Sequence, residues 1–445
     1  MKSIYPIAIV ITIIVSLIIS GCQQAPVNMN YKQDLAQAEY FHNSINKLTD
    51  VIVHDIFSPP VASRVYVYPC IAAYETLAQS GQLRTLGGKL NGLVSPPQAD
   101  TTGGISYELA AIEAFLLLSQ QLIFSEQKIL DYKMDLYNDI DSIGIPAAAK
   151  SNSLKYGKVV ADHIAAWADK DNYKESRSFS KFSVTDKEDE WKPTPPGYME
   201  GIEPHWREIR TMVLDSATQY VPEPPTAFDL EKTSKFYKEV IEVYDAVRTA
   251  DKERKTIASF WDCNPYVMNQ TGHVMFATKK ITPGGHWMAI TSLASEKANS
   301  SFSESVKHST IVAITLFDGF ISCWDEKYRS NLIRPETVIN EHIDRDWIPL
   351  LQTPPFPEYT SGHSVISTAA AEVLTAMLGD NFLFTDDVEV KYGLPQRTFN
   401  SFREAAAEAA ISRLYGGIHY MPAITEGVKQ GRKVGAYVIE KIIEK

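Results

Sequence analysis

Three short groups of residues in the last third of the chain carry chemistry of one kind. Lys327 and Arg334 stand seven residues apart in DEKYRSNLIRPETVIN, Ser361, Gly362 and His363 close the run TPPFPEYTSGH, and Arg413 precedes His419 by six residues. Ammonium, guanidinium, hydroxyl, backbone amide and imidazole groups all donate hydrogen bonds, and no carboxylate stands among them to repel an anion. Such a set suits a tetrahedral or bipyramidal oxyanion, which arginine grips through paired N–H bonds and lysine through a point charge.

The elements that must position these groups can be read nearby. Seven residues are two helical turns, so a helix through DEKYRSNLIR would put Lys327 and Arg334 on one face, with Pro335 ending it. Pro354, Pro355 and Pro357 stiffen the approach to Ser361, and a helix from about Ser364 to Met377 follows at once. A helix start presents unpaired amides and a positive dipole end, and Gly362 lets an oxyanion come close to the backbone. Ser401 and Glu404 have capping-box spacing for a helix that carries Arg413 in its last turn, Gly416 and Gly417 break it, and Pro422 opens another just after His419. Taken singly, each group has a plainer reading as a solvated basic face, a capped helix or a structural histidine. At average residue frequencies the three patterns would occur together by chance only about 0.001 times in this chain, so a shared pocket is the better reading.

Lys327 with Arg334-Pro335, then Ser361-Gly362-His363, then Ser412-Arg413 with His419 resembles the signature shared by the vanadium-dependent haloperoxidases and the type 2 phosphatidic acid phosphatases. In a haloperoxidase the resemblance implies vanadate as cofactor, with His419 bonded to the metal and Lys327, Arg334, Arg413, Ser361 and the Gly362 amide on its oxygens. His363 would move the proton of hydrogen peroxide and Lys327 would polarise the peroxide for attack by halide. In a phosphatase the resemblance implies that His419 is the nucleophile and that His363 protonates the leaving alcohol.

The surroundings FWDCNPY, KKITPGGHW and PPFPEY, with Trp324 ahead of Lys327, are similar to bacterial haloperoxidases, above all the iodide-selective lipoproteins. Trp324, Phe356 and Tyr266 could form an aromatic mouth for a large, weakly hydrated halide, and Asp262 and Asp325 are candidate partners for Arg413 or Lys327. No histidine adjoins Ser361 to His363, which favours iodide, the easiest halide to oxidise, over bromide. Both families often carry an aspartate four residues after the second histidine, where this chain has Ala423. The carboxylate that orients His419 must then come from elsewhere, which counts against a phosphohistidine. Membrane phosphatases thread several apolar spans through the bilayer, and no run after Cys22 is read as long enough. A non-catalytic lipoprotein that captures an anion or glycan is a third reading, and it has no need of the pocket histidines.

The remaining sequence fits an exported enzyme. Lys2 precedes an apolar run from Ile7 to Ile19 that is short for a membrane span, and Ser20-Gly21-Cys22 resembles the lipobox of bacterial lipoproteins. The expected organisation is a signal peptide over 1–21, a tether over 22–34 anchored at acylated Cys22, and one all-α catalytic domain over 35–445 in the bacterial cell envelope. The net charge of −11 excludes a general nucleic-acid binder and confines any anion site to a local cluster of cations. Cys70, Cys263 and Cys323 allow at most one disulfide. Apolar residues recur at helical spacing from about Leu35 to Lys170, as in Leu109, Ile112, Leu116 and Leu117, while alternating β-branched runs are nearly absent. A polar, proline-rich stretch from Glu175 to Asp229 reads as an ordered flap, because Trp191 and Tyr198 need something to bury against.

Overall fold

The computed structural model describes residues 28–271, 274–277 and 279–443, so Cys22 and the signal segment lie outside the described residues. Helices dominate. The longer ones are α1 (Ala38–Asp55), α2 (Pro59–Ala78), α3 (Tyr107–Leu122), α4 (Glu126–Ser142), α5 (Ala147–Ala168), α6 (Lys235–Arg248), α7 (Lys252–Phe260), α8 (Pro283–Lys297), α9 (Phe302–Ser330), α10 (Pro335–His342), α11 (Gly362–Leu378), α12 (Phe402–Tyr415) and α13 (Met421–Val438). Among the described residues the strands make only two antiparallel ladders, Met268–Thr271 with Val274–Ala277 and Phe384–Asp386 with Arg397–Phe399. The all-α expectation holds.

Local sequence explains most helix starts. Ser58, Ser106, Ser234, Thr282, Ser301, Ser361 and Ser401 each accept a hydrogen bond from a first-turn amide, which satisfies a donor that the helix cannot. Ser301 with Glu304 forms a full capping box at α9. At α12 the box is half made, since Ser401 caps Glu404 but the Glu404 carboxylate takes the Asn400 amide.

Helix α9 is the axis of the molecule. It packs against α1, α2, α8, α11 and α13, and its residues from Ile311 to Lys327 are buried without interruption. By length and composition it is apolar enough to cross a membrane, which corrects the reading that no run after Cys22 reaches that length. Protein rather than lipid covers it, because 94% of its most apolar window is buried in the surrounding helices.

Helix α11 lies against α13 along a stripe of glycines. A Cβ at Gly427 would stand 2.9 Å from the Ser364 side chain, one at Gly435 would stand 2.9 Å from the Ala369 carbonyl oxygen, and one at Gly431 would collide with the Val365 carbonyl. The stripe brings the Ser361 amide within 3.0 Å of the Ala423 carbonyl and so joins the two helix starts that carry His363 and follow His419.

The proline-rich segment is ordered, as expected. Met212, Val213 and Leu214 donate their amides to the buried Asp318 carboxylate of α9 at 2.6, 2.8 and 3.0 Å. Trp191 is fully buried beside Phe182. Tyr198, by contrast, is 65% exposed and packs into no core, so only one of the two aromatics behaves as the flap reading required. The three described cysteines are buried and unbridged.

Candidate anion pocket

The first departure from local expectation lies between Lys327 and Arg334. The helix does not run through both. Helix α9 ends at Ser330, Asn331 turns left-handed with φ of 48°, and Arg334 caps α10, whose first residue is Pro335. Proline thus opens a helix instead of closing one, where its missing N–H costs nothing. The proline-rich segment fixes the break, because Trp191 donates to Asn331 O at 2.8 Å and Ile333 donates to Asp189 O at 3.0 Å. Convergence of the two cations is therefore a product of tertiary pairing, not of helical period.

Arg334 is fully buried, and burial lowers its pKa to about 10. Its Nε donates to Phe356 O at 2.9 Å and Nη1 to Ile418 O at 2.8 Å, while Nη2 is buried without a partner. Nη1 also stands 3.2 Å from His419 Nε2. Arg413 is held at its Nε by Ser412 Oγ at 2.9 Å and at Nη2 by Trp261 O at 2.6 Å. Ser361 accepts the Ser364 amide at 3.3 Å, which leaves its own hydroxyl hydrogen for an anion. The nearest atom to a Cβ at Gly362 would be Trp324 Cζ3 at 3.7 Å, so a methyl would fit there only by filling the approach to the amide.

His363 is half-buried, with Nε2 enclosed and unpartnered. Its ring also hydrogen-bonds to the Trp261 backbone, and burial with the Arg413 charge drives its pKa well below 6.5. The imidazole is therefore neutral at neutral pH, and the bond to the carbonyl leaves Nε2 as a bare acceptor. His419 is also held neutral, by burial and then by the Arg334 charge. Its Nδ1 lies 2.8 Å from Glu358 Oε1, which also accepts the Tyr420 amide at 2.9 Å. Glu358 supplies the carboxylate missing at Ala423. Bonding at Nδ1 fixes the tautomer with Nε2 as lone pair, as required of a metal ligand.

Lys327 behaves differently from expectation. It is fully buried, and Nζ donates to the Pro357, Glu358 and Thr360 carbonyls at 3.1, 3.1 and 2.6 Å. All three of its protons are thus committed to the backbone of the proline-stiffened loop. It faces the site as a charge set 5.0 Å from the Phe356 ring centroid, and must give up a carbonyl before bonding an anion directly. Burial lowers its pKa to about 7.

Of the expected outer residues, Trp324, Phe356 and Tyr266 line the cavity with Phe320. Trp324 and Phe356 have ring centroids 4.9 Å apart, and Trp324 Nε1 is tied to Ile202 O at 3.2 Å, so the proline-rich segment holds the indole from behind. Asp262 pairs with Lys280, and its charge acts on Arg413. Asp325 is a correction. It does not line the cavity and pairs with Arg207 at 2.9 Å and Arg329 at 3.2 Å, so it is no partner of Lys327.

Two residues escaped the sequence reading. Glu358 stood in the quoted PPFPEY, but nothing local marks a carboxylate as the partner of a histidine 61 positions away. Trp261 acts through its backbone carbonyl, which no side-chain pattern reveals. The cavity itself measures about 40 Å³. That exceeds the roughly 10–15 Å³ a single water needs and leaves room for a small inorganic anion.

Comparison with known proteins agrees with this geometry. A family model described as the VCPO second helical-bundle domain matches residues 307–445. The chain is similar to a crystal structure of a bacterial vanadium-dependent iodoperoxidase, with 52% identity and a TM-score of 0.88 over 94% of this chain and 98% of that one. Holo and apo crystal structures of a bacterial vanadium-dependent chloroperoxidase share the fold at 15% identity and a TM-score of 0.65, over 87% and 86% of this chain and 93% and 94% of theirs. No curated protein sequence matches.

Proposed function

This chain belongs to the vanadium-dependent haloperoxidase family, and from that premise we propose that it is a vanadate-dependent iodide peroxidase that uses hydrogen peroxide to form hypoiodous acid. One observation carries the reading. Arg334 Nη2 is a buried donor without a partner, its Nη1 reaches His419 Nε2 at 3.2 Å, and His419 lines one small cavity with Arg413 and with His363, whose Nε2 is enclosed and unpartnered. An orphaned buried guanidinium donor is costly, and a seated oxyanion satisfies it.

These residues fit vanadate. His419 Nε2 would be its protein ligand, and Arg334, Arg413, Ser361 and the Gly362 amide would hold its oxygens. When bound, vanadate supplies Lewis-acid activation of peroxide toward a halide nucleophile. The chain's own residues do the rest. His363, neutral and open at Nε2, accepts the proton that hydrogen peroxide must lose and returns it to the leaving oxygen. Glu358 keeps the His419 lone pair aimed inward. Lys327 and the two arginines concentrate positive charge where negative charge develops. Trp324, Phe356 and Tyr266 offer iodide a polarisable, weakly hydrating wall.

Glu358 removes one argument against the phosphatase, since the orienting carboxylate that a phosphohistidine needs is present after all. The small cavity and the similar iodoperoxidase favour the peroxidase. The deciding measurement compares metal-free protein with and without orthovanadate. Iodide oxidation by peroxide should appear only after vanadate is added, and excess phosphate during loading should suppress it. Efficient phosphomonoester hydrolysis by the metal-free protein, with no vanadate-dependent iodide oxidation, would overturn the reading.

The reading extends to an envelope lipoprotein anchored through Cys22 by buried acyl chains, supported by the Ser20-Gly21-Cys22 pattern after the apolar run. Cys22→Ser should block acylation and cleavage by the second signal peptidase, leaving the unprocessed chain. A wild-type chain that is itself soluble and unacylated would remove the anchor.

A further inference from the structure

Behind the anion pocket, three segments bring a second set of ligand atoms together. Cys263 follows α7, His286 lies in the first turns of α8, and Glu389 belongs to a short 3-10 helix, Val388–Tyr392, after the strand that ends at Asp386. The side chains of all three, and of Asp386, are buried. Cys263 Sγ lies 3.5 Å from His286 Nδ1, and His286 Nδ1 lies 3.4 Å from Glu389 Oε1, with the three atoms mutually within 4.8 Å.

We propose that Cys263, His286 and Glu389 form a zinc site, with Asp386 as the outer carboxylate that orients the histidine. The distances have the size a zinc ion requires. With Zn–S of about 2.3 Å and Zn–N and Zn–O of about 2.0–2.1 Å, tetrahedral angles separate sulfur from nitrogen by about 3.5 Å and nitrogen from oxygen by about 3.4 Å. An independent observation points to a missing ligand. Glu389 Oε1 is a buried carboxylate oxygen without a hydrogen-bond partner, and it is aimed at the other two ligand atoms. The histidine is also presented correctly. Its Nε2 lies 2.8 Å from Asp386 Oδ2, and Val388 N donates to Asp386 Oδ1 at 3.1 Å, so Nδ1 is the ring nitrogen turned toward Cys263 and Glu389.

Three protein ligands leave a fourth position for water, and Cys263 also lines the anion cavity. The ion would tie the end of α7, α8 and the 3-10 helix Val388–Tyr392 together beneath Trp261, whose ring stacks on His286 at 4.8 Å between centroids. Trp261 is the residue whose carbonyl receives Arg413 and hydrogen-bonds His363, so the site would act as a staple for the donors of the anion pocket.

The test uses untagged full-length protein, reduced and free of vanadate, so it does not depend on the haloperoxidase reading. Plasma mass spectrometry should find one zinc per chain, and replacement by Co²⁺ should give a thiolate-to-cobalt charge-transfer band at one equivalent. Cys263→Ser should abolish the band, and Asp386→Asn should weaken Co²⁺ binding by about 10–100-fold. If the wild type holds no zinc and takes up no Co²⁺ with a thiolate band, His286 is instead an imidazolium bridging Asp386 and Glu389 and the proposal is wrong. Persistence of the band in a folded Cys263→Ser protein would also overturn it.

Discussion

Each residue of the anion pocket is charged or aimed by a neighbour, and those neighbours set what mutation should do. Glu358→Gln keeps the volume but removes the acceptor that fixes the His419 tautomer, so vanadate affinity should fall by about 10–100-fold while helical content stays unchanged. Titrating metal-free protein with vanadate measures this directly. His363→Ala should retain vanadate yet lose about 10²–10⁴ in turnover, because it removes a proton acceptor and not a ligand. His419→Ala should lose most bound vanadate, and full retention in that variant would remove it from the coordination sphere.

The pH dependence follows from Lys327 and Glu358. Burial brings Lys327 down to about 7, far below the ordinary lysine value, and brings Glu358 up to about 7. Above that pH the pocket loses a positive charge and gains a negative one. Affinity for sulfate, an anion that does not titrate in this range, should therefore fall at least about tenfold per unit as pH rises from 7, since binding takes up a proton. For folding the two signs oppose. Between pH 7 and 10.5 the unfolded chain keeps the lysine proton that the folded chain has lost, so Lys327 makes stability rise with pH. Glu358 makes stability fall with pH between 4.5 and 7, because there the folded chain holds the proton that the unfolded chain has released. Isothermal titration of sulfate at several pH values checks the first claim, and a flat profile would refute it.

At the scale of elements, the site depends on how closely α11 and α13 approach. Gly431→Ala would drive a methyl into the Val365 carbonyl, which the helix pair can relieve only by separating. A loss of about 1–3 kcal/mol in denaturant unfolding is expected, with reduced vanadate affinity because the Ser361 amide would leave the Ala423 carbonyl. The equivalent change at Gly362 should leave stability nearly intact and impair anion binding alone. The helix starts after Ser361 and Ser401 were readable, since serine caps are local signals. The break at Asn331 was not, because it depends on Trp191 and Asp189, more than a hundred residues earlier, which pair with the Asn331 and Ile333 backbone.

Over the whole molecule, a buried anion joins residues from α9, α10, α11 and α12 and the loop before α13, so occupancy should stabilise the entire fold and not one lobe. At a free vanadate concentration of 100 times Kd the gain should be about 2.7 kcal/mol, read as a rise in melting temperature that phosphate reproduces only weakly and that His419→Ala loses. The sequence by itself determined the donor chemistry, the helical class and the capped start at Ser361, because residue type, hydrophobic period and helix caps are properties of neighbours along the chain. Tertiary structure decided that Glu358 replaces the carboxylate missing at Ala423, that Lys327 spends its protons on three carbonyls, and that Asp325 turns away toward Arg207 and Arg329. A buried polar group must find a partner in whatever stands beside it, and only the packed chain fixes which groups stand side by side.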